Sequence, residues 1–463
     1  MQTDPKIKKV ALIISAISAF LTPFMGSAIN IVLPSIGKDF NLNAVEMGWV
    51  VTSYILSSAI FLVPFGRLSD IMGRKKIFYA GILLFTLFTL LIAVIPANST
   101  LLITIRFIQG IGSAMIFGTG MTIIVSVYPP AERGRALGIN VASVYLGLAV
   151  GPFLGGFFTQ HFTWRSVFIA TALIGLFLII YIPLKLKGEW ADARGEKFDI
   201  SGSIIYGISL VSLMFGFSKL PTWTGFILIT SGVLLFIIFA FYESRIEHPV
   251  LNFSIFRSSK TYTLATTSAL INYSATFGVG FLMSLYLQNV KNLSPFQAGT
   301  VMLAQPVIQT FFSPIAGKLA DRKEPQSIAS AGMGITAIGL TMLTFIGRDT
   351  GLPFIAATLA VLGFGFAFFS SPNTTAAMNS ADKRYYGVAS SILGTMRLLG
   401  QMFSMGISMI VFTIIMKDAK ITKTNSELFL KSTMIIFIIF AVLCFAGIFL
   451  KTRGATENRK KGI

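Results

Sequence analysis

The sequence predicts an all-α polytopic membrane protein: two six-helix bundles with two further helices between them, fourteen spans in all. Three observations carry that prediction: an oily composition, regularly spaced apolar runs, and a glycine-and-charge loop that recurs in each half. The 463 residues are 54% hydrophobic and only 12% charged, with 43 Phe and a mean hydropathy of +0.78. A water-facing surface needs far more charge than that, so a soluble protein is excluded.

A spanning helix needs about 20 apolar residues. Runs of that kind lie near 10–33, 47–65, 77–97, 100–127, 136–158 and 165–184, then 200–218 and 223–242. Six more lie near 261–288, 297–316, 327–347, 352–373, 386–415 and 433–450. The spacing divides the chain into residues 1–184, a first bundle; 185–260, two additional helices with polar linkers; and 261–463, a second bundle. The linkers 185–199 and 243–260 carry both signs of charge and read as segments that set the two middle helices apart.

An even number of spans puts both termini on one side, and the cations concentrate there. Lys6, Lys8 and Lys9 precede the first run, Arg67, Arg74, Lys75 and Lys76 follow the second, and Lys185, Lys187, Arg194 and Lys197 follow the sixth. Such an excess marks the cytoplasmic face of a plasma-membrane protein. Lys417, Lys420, Lys423 and Lys431 in one outer loop are an exception. The net charge of +19 is accounted for in this way, without invoking nucleic acid. The first lysines resemble a signal-peptide start, but the apolar run is long and lacks a small-x-small cleavage site, so an uncleaved first helix is expected. Cys444 stands alone and forms no intramolecular disulfide.

The loop after the second run reads Gly66-Arg67-Leu68-Ser69-Asp70-Ile71-Met72-Gly73-Arg74-Lys75-Lys76. Gly66 and Gly73 permit a tight turn between helices. Asp70 among four cations suits a latch whose ion pairs form in one conformation and break in another. Gly317-Lys318-Leu319-Ala320-Asp321-Arg322 sits at the equivalent place in the second half, as an internal duplication would leave it. Glu324 and Pro325 replace Gly73 and Arg74 there, so the main latch is assigned to the first half.

Two helices carry further patterns. In the fourth, Arg106, Gln109, Gly110 and Gly112 share one run. An arginine near a helix end snorkels to the interface, whereas one well inside faces a cavity or a partner; both readings are open. In the fifth, Gly147, Gly151 and Gly155 repeat every four residues beside Pro152 and Gly156, a smooth stripe for close helix approach with a bend.

These motifs resemble those of the major facilitator superfamily of secondary transporters. The first loop is similar to its G-x-L-a-D-r-x-G-r-k pattern and the fourth helix to L-x-x-x-R-x-x-q-G-x-g. The fifth resembles g-x-x-x-G-P-x-x-G-G, the motif of its proton-driven exporters. The six-two-six order resembles the fourteen-helix drug:proton antiporter branch. The resemblance implies a major facilitator fold, alternating access, a conformational latch at Gly66, Asp70, Gly73 and Arg74 that stabilises the outward-open state through contacts between halves, and a coupling role for Arg106.

The sequence departs from that branch in its acids. The branch often has an acidic residue in helix 1, where this chain has Met25, with Ser27 at the following threonine position. Asp39, Glu46, Asp349, Asp418 and Glu427 fall at outer loops or helix ends, and the rest of the 18 Asp and Glu fall at the opposite face. None is mid-helix, and His161 and His248 are in loops. Proton coupling and selection of organic cations both ordinarily use an intramembrane carboxylate. The ionisable residues expected inside helices are Arg106 and Arg397, and arginine does not deprotonate in practice. The pocket is therefore expected to favour neutral or anionic amphiphiles over dications. The remaining candidates for coupling a proton are Glu46 and Asp39 at the outer mouth, Asp70 in the latch, or a titrating substrate.

Candidate cavity residues are Met25, Ser27 and Asn30 in helix 1, Gln109 in helix 4, Asn272, Tyr273 and Phe277 in helix 9, Gln305, Asn373 and Arg397. Each polar one also reads as glue between helices, and Met25 and Phe277 as an adaptable apolar lining. The function expected is proton-coupled efflux of hydrophobic or amphiphilic compounds by a monomer, with no cofactor and no metal. Two alternatives stand: an exporter or facilitator of anionic lipids or organic acids, and a non-transporting receptor or scaffold. The sequence contains no P-loop and no catalytic triad pattern, so an enzyme is not expected.

Overall fold

The computed structural model describes residues 5–247, 249–251, 259–380, 386–417, 419–421 and 425–460; Asp418, His248 and Lys423 lie outside them. The first bundle consists of α1 (Pro5–Asp39), α2 (Ala44–Met72), α3 (Arg74–Val94), α4 (Ser99–Val127), α5 (Pro130–His161) and α6 (Trp164–Lys185). Then come α7 (Ile200–Lys219) and α8 (Trp223–Glu243). The second bundle consists of α9 (Lys260–Leu285), α10 (Pro295–Met302 and Ala304–Arg322), α11 (Pro325–Leu343), α12 (Leu352–Asn379), α13 (Tyr386–Ile415) and α14 (Ser426–Lys460). All fourteen expected helices are present. Thirteen carry an unbroken apolar stretch long enough to cross a bilayer.

The exception is α10, expected as one run and broken at Leu303. Pro306 supplies the reason: it has no N–H to give the Met302 carbonyl, so the ladder is interrupted there. The Leu303 amide instead shares the Gly299 and Thr300 carbonyls at 3.1 and 3.3 Å.

Local signals set the other boundaries. Asn43 and Glu46 form a reciprocal capping box that starts α2, and Ser294 with Gln297 does the same for α10. Between α2 and α3 only Gly73 is non-helical, at φ +120, a conformation that L side chains rarely adopt. α9 ends in a π-turn, Tyr286–Val290.

Within the first bundle α1 packs on α5, α2 on α4, and α3 on both α4 and α6. In the second, α9 packs on α13 and α14, α10 on α12, and α11 on α12 and α14. Small residues set the separations: Gly112 of α4 lies against the Phe85 backbone of α3, and Gly332 of α11 against the Phe368–Phe369 backbone of α12. Lipid-like packing gives no hydrophobic drive between helices, so such close backbone approach supplies the attraction.

The middle helices are not set apart as the polar linkers lead one to expect. α7 packs on α8, on α2 and on α13, so it touches both bundles. The Tyr206 hydroxyl donates to the Ala59 carbonyl of α2 at 3.1 Å, and Phe217 meets Phe403 of α13 at 6.0 Å between ring centres. α8 turns most of its surface outward.

Candidate substrate site, seal and latch

At the end of the bundles that carries Asp39 and Glu46, the two halves are sealed together. The α5 glycine stripe seats α5 on α1 of its own half, and the opposite edge of α5 makes the crossing. A β-carbon on Gly147 would collide with the Phe20 carbonyl of α1, and one on Gly151 with Ser27. Gly155 faces the Ala28 backbone. α5 thus nests into α1, and its other edge crosses to the second half: Gly156 abuts the Pro295 carbonyl, and Gly299 of α10 abuts the Pro152 carbonyl. Phe296 is enclosed by Phe153 and Phe157 at 5.3 and 6.2 Å, and its amide donates to Gln160 Oε1 at 3.2 Å. Ser284 Oγ donates to the Asn30 carbonyl, and Gln288 Nε2 to the Ile31 carbonyl at 2.9 Å. Lys420 reaches Asn41 Oδ1 at 2.6 Å.

Nearer the middle of the bundles, residues of both halves converge on one cluster. The Tyr145 hydroxyl of α5 lies 3.4 Å from the Ser370 hydroxyl of α12. Arg397 of α13 donates through Nη2 to Thr374 Oγ1 of α12 at 2.6 Å, and its guanidinium carbon lies 5.9 Å from the centre of the Tyr273 ring of α9. Tyr273 in turn meets Phe366 of α12 edge-on at 5.9 Å. On α9 the half-buried positions Leu270, Tyr273, Phe277 and Gly280 form a stripe on a helix otherwise mostly buried. Gly26 of α1 is half-buried with no atom within 4 Å of where its β-carbon would be. The cluster offers aromatic faces, hydroxyls and one cation. Among the described residues no carboxylate hydrogen-bonds or pairs with Arg397. Its chemistry suits flat, neutral or anionic groups: rings stack on the tyrosines, and the planar guanidinium forks onto carbonyl or acid oxygens.

The remaining expected cavity residues are placed as follows. Gln305 is half-buried near the Leu303 break, and Ser27 is half-buried with its hydroxyl on the Phe24 and Gly147 carbonyls at 3.1 and 3.3 Å. Met25 is fully buried. Asn373 donates to the Ala265 carbonyl at 3.0 Å and so ties α12 to α9. Asn272 is fully buried on α9 with neither side-chain polar atom bonded, and Asn30 leaves Oδ1 unbonded. Gln109 lies away from the cluster, with Arg106. Tyr145, Ser370 and Thr374 were not singled out in the sequence. Hydroxyl residues are common in these helices, and their only sequence signal is position, Tyr145 standing two residues before the α5 glycine stripe.

Arg106 is fully buried between α4 and α2. Its Nε donates to the Val50 carbonyl at 3.2 Å, its Nη1 to Gln109 Oε1 at 2.6 Å, and its guanidinium lies 4.4 Å from the Tyr54 ring centre. Gln109 passes the chain on to Thr89 of α3 at 2.7 Å, and Tyr54 donates to Ser113 at 2.7 Å. Nη2 is unbonded, and no acid touches it among the described residues. Of the two readings open from the sequence, this is an interior arginine with partners rather than a snorkelling one.

The acids proposed for coupling have fixed partners. Glu46 caps α2 through the amide of Asn43 at 2.9 Å. Asp39 Oδ2 accepts from Trp164 Nε1 at 2.6 Å and from Arg165 at 3.1 Å, joining α1 to α6.

At the other end, the latch engages the segment that follows α6. Arg74 pairs with Asp70 and with Asp192, both at 2.7 Å, and Arg67 pairs with Glu196. The Arg74 amide donates to the Trp190 carbonyl at 2.8 Å, and the Ala193 amide to the Asp70 carbonyl at 2.9 Å. Glu189 Oε1 accepts the Lys75 amide at 2.8 Å at the start of α3, and its side chain packs where a β-carbon on Gly73 would stand. Gly66, expected in the turn between helices, instead lies inside α2 with open space beside it, because the helix runs on to Met72 and Gly73 alone makes the turn. These partners all belong to the first half and its linker. Contacts of this α2–α3 turn with the second half, implied for an outward-open state, are not among them, and the seal lies at the far end.

Two helical halves that share one central cluster and close over it at one end define a membrane transporter. The chain belongs to the Major Facilitator Superfamily, whose sequence profile matches residues 15–405 and 265–462. It is 29% identical to the riboflavin transporter RibZ of Clostridioides difficile (strain 630), over 96% of this chain and 97% of that one. It is 28% identical to the multidrug resistance protein Stp of Mycobacterium tuberculosis (strain CDC 1551 / Oshkosh), over 84% of this chain and 73% of that one. To the tetracenomycin C resistance and export protein of Streptomyces glaucescens it is 26% identical, over 82% and 71%. The fold superposes on a bacterial homologue of the human lysosomal transporter Spinster in an inward-facing, unoccupied conformation. There the TM-score is 0.71, covering 97% of this chain and 98% of that one at 15% identity.

Proposed function

We propose that this transporter exports neutral or anionic amphiphiles by alternating access, coupled to proton entry, with its basic end and both termini in the cytoplasm. The observation that carries the substrate reading is the central cluster of Tyr145, Tyr273, Phe366 and Arg397, which offers a cation and aromatic faces and, among the described residues, no carboxylate paired with that cation. In this reading the structure is the state closed toward the outside: the α5–α10 seal is shut and the latch is engaged with its own linker. Opening the seal and moving the loop of Asp70 and Arg74 onto the second half would give the opposite state. The multidrug-resistance relatives support export of amphiphiles. The riboflavin transporter among the relatives favours one narrower reading, a flat neutral heteroaromatic whose rings lie on Tyr145 or Tyr273 while Arg397 holds a carbonyl edge.

Flux in proteoliposomes tests the transport mode. A riboflavin probe and an anionic amphiphile should accumulate several-fold faster with an imposed pH gradient than without it. Flux that ignores both the pH gradient and the membrane potential would replace the antiporter with a facilitator.

A further inference from the structure

Among the described residues two carboxyl groups, one on a half-buried and one on a buried side chain, come together at the basic end of the middle helices. Asp199 caps α7, its Oδ1 accepting the Gly202 amide at 3.0 Å and the Tyr242 hydroxyl at 3.2 Å. Glu243 closes α8 and is 2% exposed; its Oε2 accepts the Leu251 amide at 2.9 Å, from the segment that follows α8. The other oxygen of each, Asp199 Oδ2 and Glu243 Oε1, is shielded from solvent and has no hydrogen-bond partner. Both are aimed at one point, because a β-carbon built on Gly202 would collide with the two of them.

Among the described residues the neighbouring groups bring no cation to this spot. α7 presents the Gly202 amide, α8 the Tyr242 hydroxyl, and the following segment the Leu251 and Val250 amides. Lys197, Arg245 and Glu247, the nearest charges along the chain, are exposed and make no ion pair with either carboxyl among the described residues. Two facing carboxylates without a cation repel, and a buried acceptor without a donor costs its full desolvation. A single proton removes both penalties, since it cancels one charge and turns one lone acceptor into a donor for the other.

We propose that Asp199 and Glu243 form a proton-binding site, holding one proton between Oδ2 and Oε1, and that this proton fastens the segment at Leu251 to the α7–α8 pair. When the proton departs to water both groups are charged, and the repulsion releases Glu243 from Leu251. The fastening is therefore complete at low pH and lost as pH rises. α7 rests on α2 of one half and α13 of the other, so the site lies on the element that bridges the moving parts. No acid inside the bundles is needed for this proton.

Hydrogen exchange at Leu251, followed by mass spectrometry on the full-length protein in nanodiscs, tests the proposal. Corrected for intrinsic exchange, wild-type protection should fall about tenfold or more between about pH 5 and about pH 9, where buried carboxylic acids titrate. Glu243→Gln places a permanent amide donor against Asp199 Oδ2 and should hold protection level across that range, and Glu243→Ala should lose it throughout. A level wild-type profile, a Glu243→Gln profile that falls like wild type, or full protection in Glu243→Ala would each overturn the proposal.

Discussion

The Tyr145 hydroxyl of α5 stands 3.4 Å from the Ser370 hydroxyl of α12, a bond between the halves that lies apart from the seal. Tyr145→Phe keeps the ring and removes the bond. A neutral hydrogen bond is worth about 0.5–1.5 kcal/mol net, so the two halves should part more readily by a few-fold. Cysteine accessibility inside the cluster should rise by that factor, with thermal stability nearly unchanged.

Arg397 is half-buried, held by Thr374 Oγ1 at 2.6 Å and set over the Tyr273 ring. Arg397→Lys keeps the charge and loses the planar fork, and Arg397→Gln loses both. Transport of an anionic amphiphile should survive the first substitution in part and fall about tenfold or more in the second, a loss of about 1.4 kcal/mol in transition-state free energy. Equal flux in the two variants would remove Arg397 from the site.

Arg106 is a buried cation with hydrogen bonds and, among the described residues, no acid partner. Replacing a buried charge by an apolar side chain of similar length is often neutral or stabilising. Arg106→Met should therefore melt within a few degrees of wild type while losing most transport. If the variant is unstable but transports at the wild-type rate per folded molecule, the residue serves packing alone.

Gly73 has φ +120 and lies under the Glu189 side chain. Gly73→Ala strains the backbone by about 1–3 kcal/mol and displaces Glu189 from the start of α3. The melting temperature should fall, and trimming Glu189→Ala should recover only the steric part.

Gly156 meets the Pro295 carbonyl across the halves. Gly156→Ala inserts a methyl into the seal, where overpacking costs about 1–3 kcal/mol. The expected readout is greater labelling of Ser27→Cys from the sealed end, together with a proton leak.

The helices were legible because a bilayer imposes a length: stretches of about 20 apolar residues stand out in any sequence. The α10 break was legible in principle from Pro306, yet one missing donor inside an apolar run gives no change in hydropathy. The site was less readable. Asn373 and Arg397 look alike in sequence, a polar residue on an oily helix, but Asn373 binds the Ala265 carbonyl while Arg397 faces Tyr273. Asp39 carries no mark of its bond to Trp164, 125 residues away. The charged linkers read as segments that set the middle helices apart, whereas Glu189, Asp192 and Glu196 grip the latch and Glu243 is buried. Such pairings depend on the way the bundles fold together, which local pattern does not encode.

In the proposed reading the shared cluster selects against cations because Arg397 has no carboxylate partner among the described residues. A single pH-gradient-driven flux experiment in proteoliposomes compares riboflavin, an anionic amphiphile and a permanent dication side by side. Gradient-stimulated transport of the first two and only background movement of the dication are expected. Strong proton-driven export of the dication by the wild-type protein would contradict that reading.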